Sequence, residues 1–345
     1  MAQPIVLAVD AMSGDHGLSV TVPAALSCLE RHKKLHIVLV GDQVRLRACL
    51  LDSAWQVGKR LSIQHASQVV AMDEPPSKAL RHKKDSSMRV AVDLVKSGQV
   101  NAAVSAGNTG ALMATARFVL KTLPGIDRPA IVSALPAVLH PVHMLDLGAN
   151  AECNAEQLVQ FAVMGSALVT AVMGVDKPRV ALLNIGAEEI KGNDTIKAAA
   201  ARLQASALNY VGFVEGDGVF LSDVDVVVCD GFVGNVALKT GEGIAKLIRQ
   251  FMREEFERNV ITRAGAMASM PALKALSRRI DPRRYNGASF VGLQGIVIKS
   301  HGGADALAFD NAIEMALREV EKNVPARIAK LLASAGLDQP LSPGR

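Results

Sequence analysis

With 345 residues, half of them hydrophobic, the chain can bury a large core, and its length allows one large α/β domain or two smaller ones. Cys28, Cys49, Cys153 and Cys229 are widely spaced with no CxxC pair, which signals neither a zinc site nor a disulfide framework and fits a reducing cytosol. The net charge is +5 and aromatics make up only 3%, with no aromatic and basic interleaving of the kind that stacks bases, which argues against nucleic acid as a partner.

The chain opens on PIVLAVD, an apolar run that meets Asp10 too early for a secretory leader. HIVLVGD, VNAAVSAG, AIVSAL, VHMLDLG, RVALLNIG, VGFVEGD, VDVVVCDG and GIVIKSHG follow as further expected strands. Their apolar residues are continuous rather than alternating, as in strands covered on both faces. Most stop at Gly or Asp and give way to a helical pattern, the punctuation of βα units in a mostly parallel sheet. In such sheets ligands bind outside the carboxyl ends of the strands. Between the strands, Phe161 to Val175 is uncharged for 15 residues, short of the roughly 20 that span a bilayer, and reads as a buried helix.

The rhythm breaks over residues 241–281. Ile244, Leu247, Ile248 and Phe251 fall at helical spacing, NVITRAGAMASMP intervenes, and a helical pattern resumes from Ala272 to Arg279. This predicts a protruding helical hairpin with a small-residue tip. From Lys239 to Arg284 there are eleven Lys/Arg against five Asp/Glu, so the whole basic excess sits here. An acidic protein or an anionic membrane surface suits it, with a dimer contact or a plain surface helix pair as alternatives. Residues 1–336 are expected to form a single α/β/α domain that includes this hairpin, and 337–345 a flexible tail.

Glycine pairs at Gly14/Gly17, Gly107/Gly110 and Gly231/Gly234 each follow an expected strand. The last two open a helix, a geometry that presents backbone N–H groups to an anion or merely makes a tight turn. Neither GxGxxG after the first strand nor GxxxxGK[ST] is present. Lys191, in NIGAEEIKGND, is placed to stabilise a developing oxyanion, with Glu188 orienting it and Asn193 starting the next helix; a solvated turn with a helix cap is the alternative. His16, between Asp15 and Gly17, and His301, in KSHGGAD, read either as proton donors or phosphate ligands or as structural hydrogen-bonders. Asp10 and Asp230 end strands, as catalytic or turn carboxylates. No His/Cys/Asp spacing indicates a metal, and no cofactor is expected.

Seven blocks carry a resemblance in register: DAMSGDHG (10–17), DEPPSKALRHKKDSSMRVAVDLVKSG (73–98), SAGNTGA (105–111), DLGAN (146–150), NIGAEEIKGND (184–194), VEGDG (214–218) and DGFVGNVALKT (230–240). Together they closely resemble the bacterial phosphate acyltransferases over roughly residues 4–325. Ser13 and Leu18 stand where that family often has glycine and proline. The resemblance implies a doubly wound, mostly parallel α/β/α sandwich related to phosphotransacetylases and isopropylmalate dehydrogenases. It also implies a homodimer in the cytoplasm, in peripheral contact with the membrane or with a membrane glycerol-3-phosphate acyltransferase. The implied reaction makes acyl phosphate from a long-chain acyl-acyl-carrier protein and inorganic phosphate, early in phospholipid synthesis. Lys191, His16 and Asp10 are then the catalytic candidates. Phosphate or substrate contacts are expected from Gly14, Asp15, Ser105, Gly107, Asn108, Thr109, Asn150, Asn184, Glu188, Asn193, Asp230, Asn235 and His301. A nicotinamide-dependent hydroxyacid dehydrogenase on the same fold and a noncatalytic lipid-synthesis scaffold are the rival readings.

Overall fold

The computed structural model describes residues 4–50 and 58–337, so the expected tail lies outside the described residues apart from Leu337. Eleven strands form one sheet: β1 (Ile5–Asp10), β2 (Leu35–Gly41), β3 (Leu61–His65), β4 (Ala102–Ser105), β5 (Ala130–Leu135), β6 (Val142–Leu145), β7 (Val180–Leu183), β8 (Tyr210–Val214), β9 (Val226–Val228), β10 (Ala288–Val291) and β11 (Ile296–Lys299). Their order is β3-β2-β1-β4-β11-β10-β5-β6-β9-β7-β8.

Seven of the ten pairings are parallel, but the parallel runs do not share one direction. β3, β2, β1, β4 and β11 run one way, while β6, β9, β7 and β8 run the other. The antiparallel pairs β11/β10, β10/β5 and β5/β6 join the two runs. Strand carboxyl ends therefore lie at opposite edges of the sheet in the two halves, and the βα turns do not converge on a single edge.

Helices cover both faces. On one face α1 (Leu18–Arg31) and α12 (Ala306–Lys322) pack over the first half. On the same face α6 (Ala155–Met173), α7 (Asp194–Gln204) and α13 (Val324–Ser334) cover the second. The other face carries α3 (Pro76–His82), α4 (Ser87–Lys96), α5 (Thr109–Leu120) and α8 (Gly218–Leu221). The remaining helix of the first half, α2 (Gln43–Leu50), packs against α1 and β3. The apolar helix expected over 161–175 is α6, set by an Asn154/Gln157 capping box and stopped by left-handed Gly174. It is the one described helix long and apolar enough to cross a membrane, and 78% of its apolar window is buried inside the fold.

The hairpin differs from expectation. Its first arm belongs to a 27-residue helix, α9 (Gly231–Glu257), and the supposed small-residue tip is itself a helix, α10 (Val260–Ala268), closed by an Asn259/Thr262 capping box. The return arm is α11 (Met270–Arg279). Asn259 carries side-chain acceptors and donors suited to a cap, and Thr262 answers it three residues on, a pattern that outweighs the small residues around it.

Close packing at the root of α9 depends on glycine. A Cβ on Gly234 would stand 1.9 Å from the Asp146 carbonyl oxygen, whereas one on Gly243, a turn and more further along, meets nothing within 4 Å. Gly234→Ala is therefore expected to lower stability by about 1–3 kcal/mol or more. Gly243→Ala should raise it by about 1 kcal/mol through helix propensity alone. Thermal melts of the two variants shifting in the same direction would refute this account of how α9 is seated.

Candidate active site

Strand register assembles the most polar buried group. Val104 pairs with both Val9 and Ile298, and Lys299 pairs with Ser105. One step further, Asp10, Ser105 and Lys299 form a row across β1, β4 and β11, on the face that also carries Ala8, Ala103 and Val297. All three are buried. Ser105 Oγ donates to Asp10 Oδ2 at 2.6 Å, and Asp10 Oδ1 is buried without a partner. Lys299 Nζ donates to the Ala106 carbonyl at 3.4 Å and to the Ser300 carbonyl, and makes no ion pair among the described residues.

Loops from three strand ends close around this row. Ser13 Oγ donates to the Asp10 carbonyl and accepts from Ala106 N–H, both bonds under 3 Å. Asp15 N–H donates to the Gly302 carbonyl at 2.9 Å, tying the first loop to the one after β11. Gly14 sits between them with φ at 79°, and a Cβ there would meet Gly302 O at 2.9 Å and Ala106 Cβ at 3.0 Å. Gly107 N–H donates to Ser105 Oγ at 3.1 Å. A Cβ on Gly107 would meet Met88 Cε at 2.6 Å, a flexible methionine end that can shift. Asn108 caps α5 by accepting from Ala111 N–H, and its amide holds the Met72 and Glu74 carbonyls.

The charges are displaced in opposite directions by the same cause. Burial pushes the Asp10 carboxyl up, opposed by its hydrogen bond from Ser105. Burial also pulls the Lys299 ammonium down to about 8, helped by the charge of Lys239 and opposed by Asp15 and Asp10. Lys239 arrives on α9, which crosses from the opposite edge. Burial, with Lys239 and Lys299 nearby, lowers His301 as well. His301 Nδ1 accepts from Gly303 N–H at 3.0 Å, so its proton resides on Nε2. The result is a strand-end cluster in which Lys299 and the His301 Nε2–H keep hydrogen-bonding capacity, while the Ser13 and Ser105 hydroxyls and the Ala106 and Gly107 N–H groups are already bonded within the protein. An oxyanion suits these two donors.

Of the expected residues, Asp10, Gly14, Asp15, His16, Ser105, Gly107, Asn108, Thr109 and His301 share this edge. His16 and Thr109 are exposed there. Asn150, Asn184, Glu188, Lys191, Asn193, Asp230 and Asn235 belong to the other half of the sheet, whose strands end at the other edge. There Asn150 Nδ2 donates to Asp146 and to the Pro129 carbonyl. Asn184 closes its loop onto the Lys191 carbonyl, and Lys191 N–H donates to the Glu188 carbonyl. Asn193 and Asp230 cap α7 and α9. Asn235 lies against Gly148. The Lys191 side chain is exposed and forms no ion pair among the described residues.

Sequence reading passed over Lys299, Ser13 and Lys239. The signal for Lys299 was present: a lone charge ending the otherwise apolar GIVIK, two residues before His301. It was read only as part of a strand.

Known proteins bear on this arrangement. A family model described as "Fatty acid synthesis protein" matches residues 5–327. A phosphate acyltransferase of Halorhodospira halophila is 58% identical over 339 residues, covering 97% of this chain and 99% of the relative. One of Alkalilimnicola ehrlichii is 59% identical over 334 residues, covering 97% and 98%. Among solved structures, a phosphotransacetylase from Streptococcus pyogenes superposes with a TM-score of 0.61 at 17% identity, over 93% of this chain and 95% of that one. A 4-hydroxythreonine-4-phosphate dehydrogenase from Klebsiella pneumoniae gives 0.51 at 13% identity, over 92% and 99%, and these two likenesses concern the fold alone. The relatives' identity over nearly full length, together with the family model, decides the family: the chain belongs to the phosphate acyltransferases.

Proposed function

We propose that this protein transfers a long-chain acyl group from the thioester of an acyl-acyl-carrier protein to inorganic phosphate, supplying acyl phosphate to phospholipid synthesis. Family membership supports the reaction class. The observation that carries the reading within the molecule is Lys299, a buried ammonium in line with Asp10 and Ser105 and without an ion pair among the described residues. A hydroxyacid dehydrogenase is the weaker reading, because its only support is a likeness of fold. A noncatalytic scaffold does not account for the Lys299 and His301 donors at one strand-end edge.

Phosphate is itself a nucleophile at neutral pH, so the reaction needs no serine or cysteine and no acyl-enzyme. One phosphate oxygen attacks the thioester carbonyl carbon. The carbonyl π pair becomes an oxyanion, and its collapse breaks the C–S bond and releases the carrier's thiolate. Lys299 holds the phosphate, and His301 Nε2–H is the donor for the developing oxyanion. Asp10 holds Ser105 and offsets the ammonium when phosphate is absent. Incubating the protein with a long-chain acyl-carrier protein and phosphate, and detecting acyl phosphate by mass spectrometry, tests the reaction directly.

This reading separates two lysines. Lys299→Ala is expected to raise the KM for phosphate at least about 30-fold, the equivalent of about 2 kcal/mol for a buried charge partner. Lys191→Ala, on the other edge, should leave that KM within about twofold. A fall in kcat of roughly 10²–10³ for Lys191→Ala would instead bring the second edge into the reaction, as the oxyanion donor first expected there. The pH profile checks the same assignment. Lys299 is charged below about 8 and neutral above it, so the wild-type KM for phosphate should climb as pH rises through that value. Lys299→Ala should lack the climb.

The hairpin supplies the partners in this proposal. Val260, Ile261 and Met267 on α10 are 82%, 83% and 68% exposed, an apolar tip that suits a lipid surface. Phe232, Val236, Ile244, Leu247 and Phe251 leave a stripe of α9 uncovered, which suits a second copy of the chain. Lys274 and Arg278 on α11 are exposed and suit an acidic carrier protein, whereas Arg279 is occupied with the Val138 carbonyl. Replacing Val260, Ile261 and Met267 by serine should spare activity on soluble substrate and weaken co-sedimentation with anionic liposomes, each buried side chain being worth about 1.5–3 kcal/mol. Retained liposome binding, or loss of dimer and activity together on size-exclusion chromatography, would remove the membrane role of the tip.

A further inference from the structure

The fold brings together a donor set that chain spacing conceals. Cys28 and His32 lie one turn apart at the carboxyl end of α1, and Glu314 faces them from the middle of α12. Cys28 Sγ, His32 Nε2 and a Glu314 carboxylate oxygen lie within 4.8 Å of one another. The His32 Nε2 to Glu314 Oε1 distance is 2.7 Å, and Sγ stands 4.0 Å from the same oxygen. Zinc bonds of about 2.3 Å to sulfur and about 2.0–2.2 Å to nitrogen and oxygen would require these atoms about 3.2–3.6 Å apart. The His32–Glu314 pair would open by about 0.5–0.9 Å and the Cys28–Glu314 pair close by about 0.4–0.8 Å to reach that geometry.

From this geometry we propose that Cys28, His32 and Glu314 bind a zinc-type divalent cation, with water as the fourth ligand. The surrounding charges support it. Arg31 grips Asp310 through two bonds of 2.7 and 2.8 Å, which neutralises the guanidinium, and its Nη2 also reaches Glu314 Oε1 at 2.7 Å. That bond shares Oε1 with His32, and Glu314 Oε2 makes no hydrogen bond among the described residues. A dication with one thiolate, one carboxylate and the Arg31–Asp310 pair sums to zero charge. Cys28 is fully buried, while His32 and Glu314 keep 35% and 19% of their side chains exposed, so the ion enters from the solvent side past them. Burial and the neighbouring carboxylates push the free Cys28 thiol up to about 12. The incoming ion therefore displaces that proton to solvent. The proposal is independent of the acyl-transfer reading. Its structural consequence is a staple between the two helices whose amino ends carry the Asp10 to Gly17 and Lys299 to Asp305 loops.

The test is a titration of chelator-treated protein with Co²⁺, followed by displacement with Zn²⁺. About one Co²⁺ per chain is expected, with the visible bands of a tetrahedral ion and a near-ultraviolet thiolate-to-cobalt band, both erased by zinc. Cys28→Ser should abolish the thiolate band and weaken binding by more than the roughly 10–100-fold that a change outside the ligand set costs. Zinc should raise the melting temperature of the wild type and not of this variant. His32→Gln, at the exposed side of the site, gives the same reading if Cys28→Ser fails to fold, and Cys49→Ser should change nothing. Cobalt bound without a thiolate band, or a band that survives Cys28→Ser or His32→Gln, overturns the site and leaves a hydrogen-bonded clamp between α1 and α12.

Discussion

The direction of the strands governs where chemistry can gather in this molecule. β10 enters antiparallel to β11, β5 antiparallel to β10 and β6 antiparallel to β5, so the two parallel half-sheets end on opposite edges. A ligand held by strand ends must therefore be held by one half. The first half collects Asp10, Ser105 and Lys299 in one row because β1, β4 and β11 are neighbours in register. The second half spends its strand-end carboxylate on structure. Asp146 accepts from the N–H groups of Ile131, Ala149 and Asn150 and from the Asn150 amide, which leaves it little capacity for a ligand.

The first edge is kept short of full satisfaction. Burial alone would discharge both Asp10 and Lys299, lifting one and lowering the other. Their nearness and the Ser105 hydroxyl oppose that drift without cancelling it. Removing water from a lysine whose only bonds are to two carbonyls costs folding free energy, and an arriving oxyanion relieves part of that cost. Donors fixed before the ligand arrives need little reorganisation at the moment of reaction, which is the condition under which electrostatic stabilisation is large. The glycine at position 14 serves the same end, since any side chain there would push apart the loops that fix those donors.

Much of this was legible in the chain. Nine strands were found from apolar runs ending in Gly or Asp, because strands buried on both faces advertise themselves by continuous hydrophobicity. Two were not. β3 sits at the sheet edge with three of its five residues exposed or nearly so, and β10 reads ASFV, too short and too polar at Ser289 to stand out. The omission of β10 did not by itself misplace the site. It left β5 running with β11, and the reversal between the halves comes from the antiparallel pairing of β5 with β6, which a reading of a mostly parallel sheet hid, so Lys191 and Asp10 read as sharing a cleft. Cys28, His32 and Glu314 were invisible for another reason: 282 residues separate the histidine from the carboxylate, and only the packing of α1 on α12 makes them neighbours.

One long helix, α9, brings a residue of the second half to the first edge. It starts at Asp230, where β9 ends, and its 27 residues correspond to about 40 Å, far longer than the strands beneath it. Along the way it presents Lys239, whose charge is felt at Lys299 and His301, and Glu242, which pairs with that lysine at 2.8 Å. Yet only Gly231 and Gly234 of this helix are buried. A helix anchored at two glycines and otherwise lying on the surface is held in place weakly by its own chain, because stability comes from the apolar face it buries. Under the proposed reading, a partner covering Ile244, Leu247 and Phe251 also decides how firmly Lys239 is held near Lys299 and His301. Were the proposed partner and anion both to bind, they would act on the same helix, and by linkage each would change the other's affinity by the same factor.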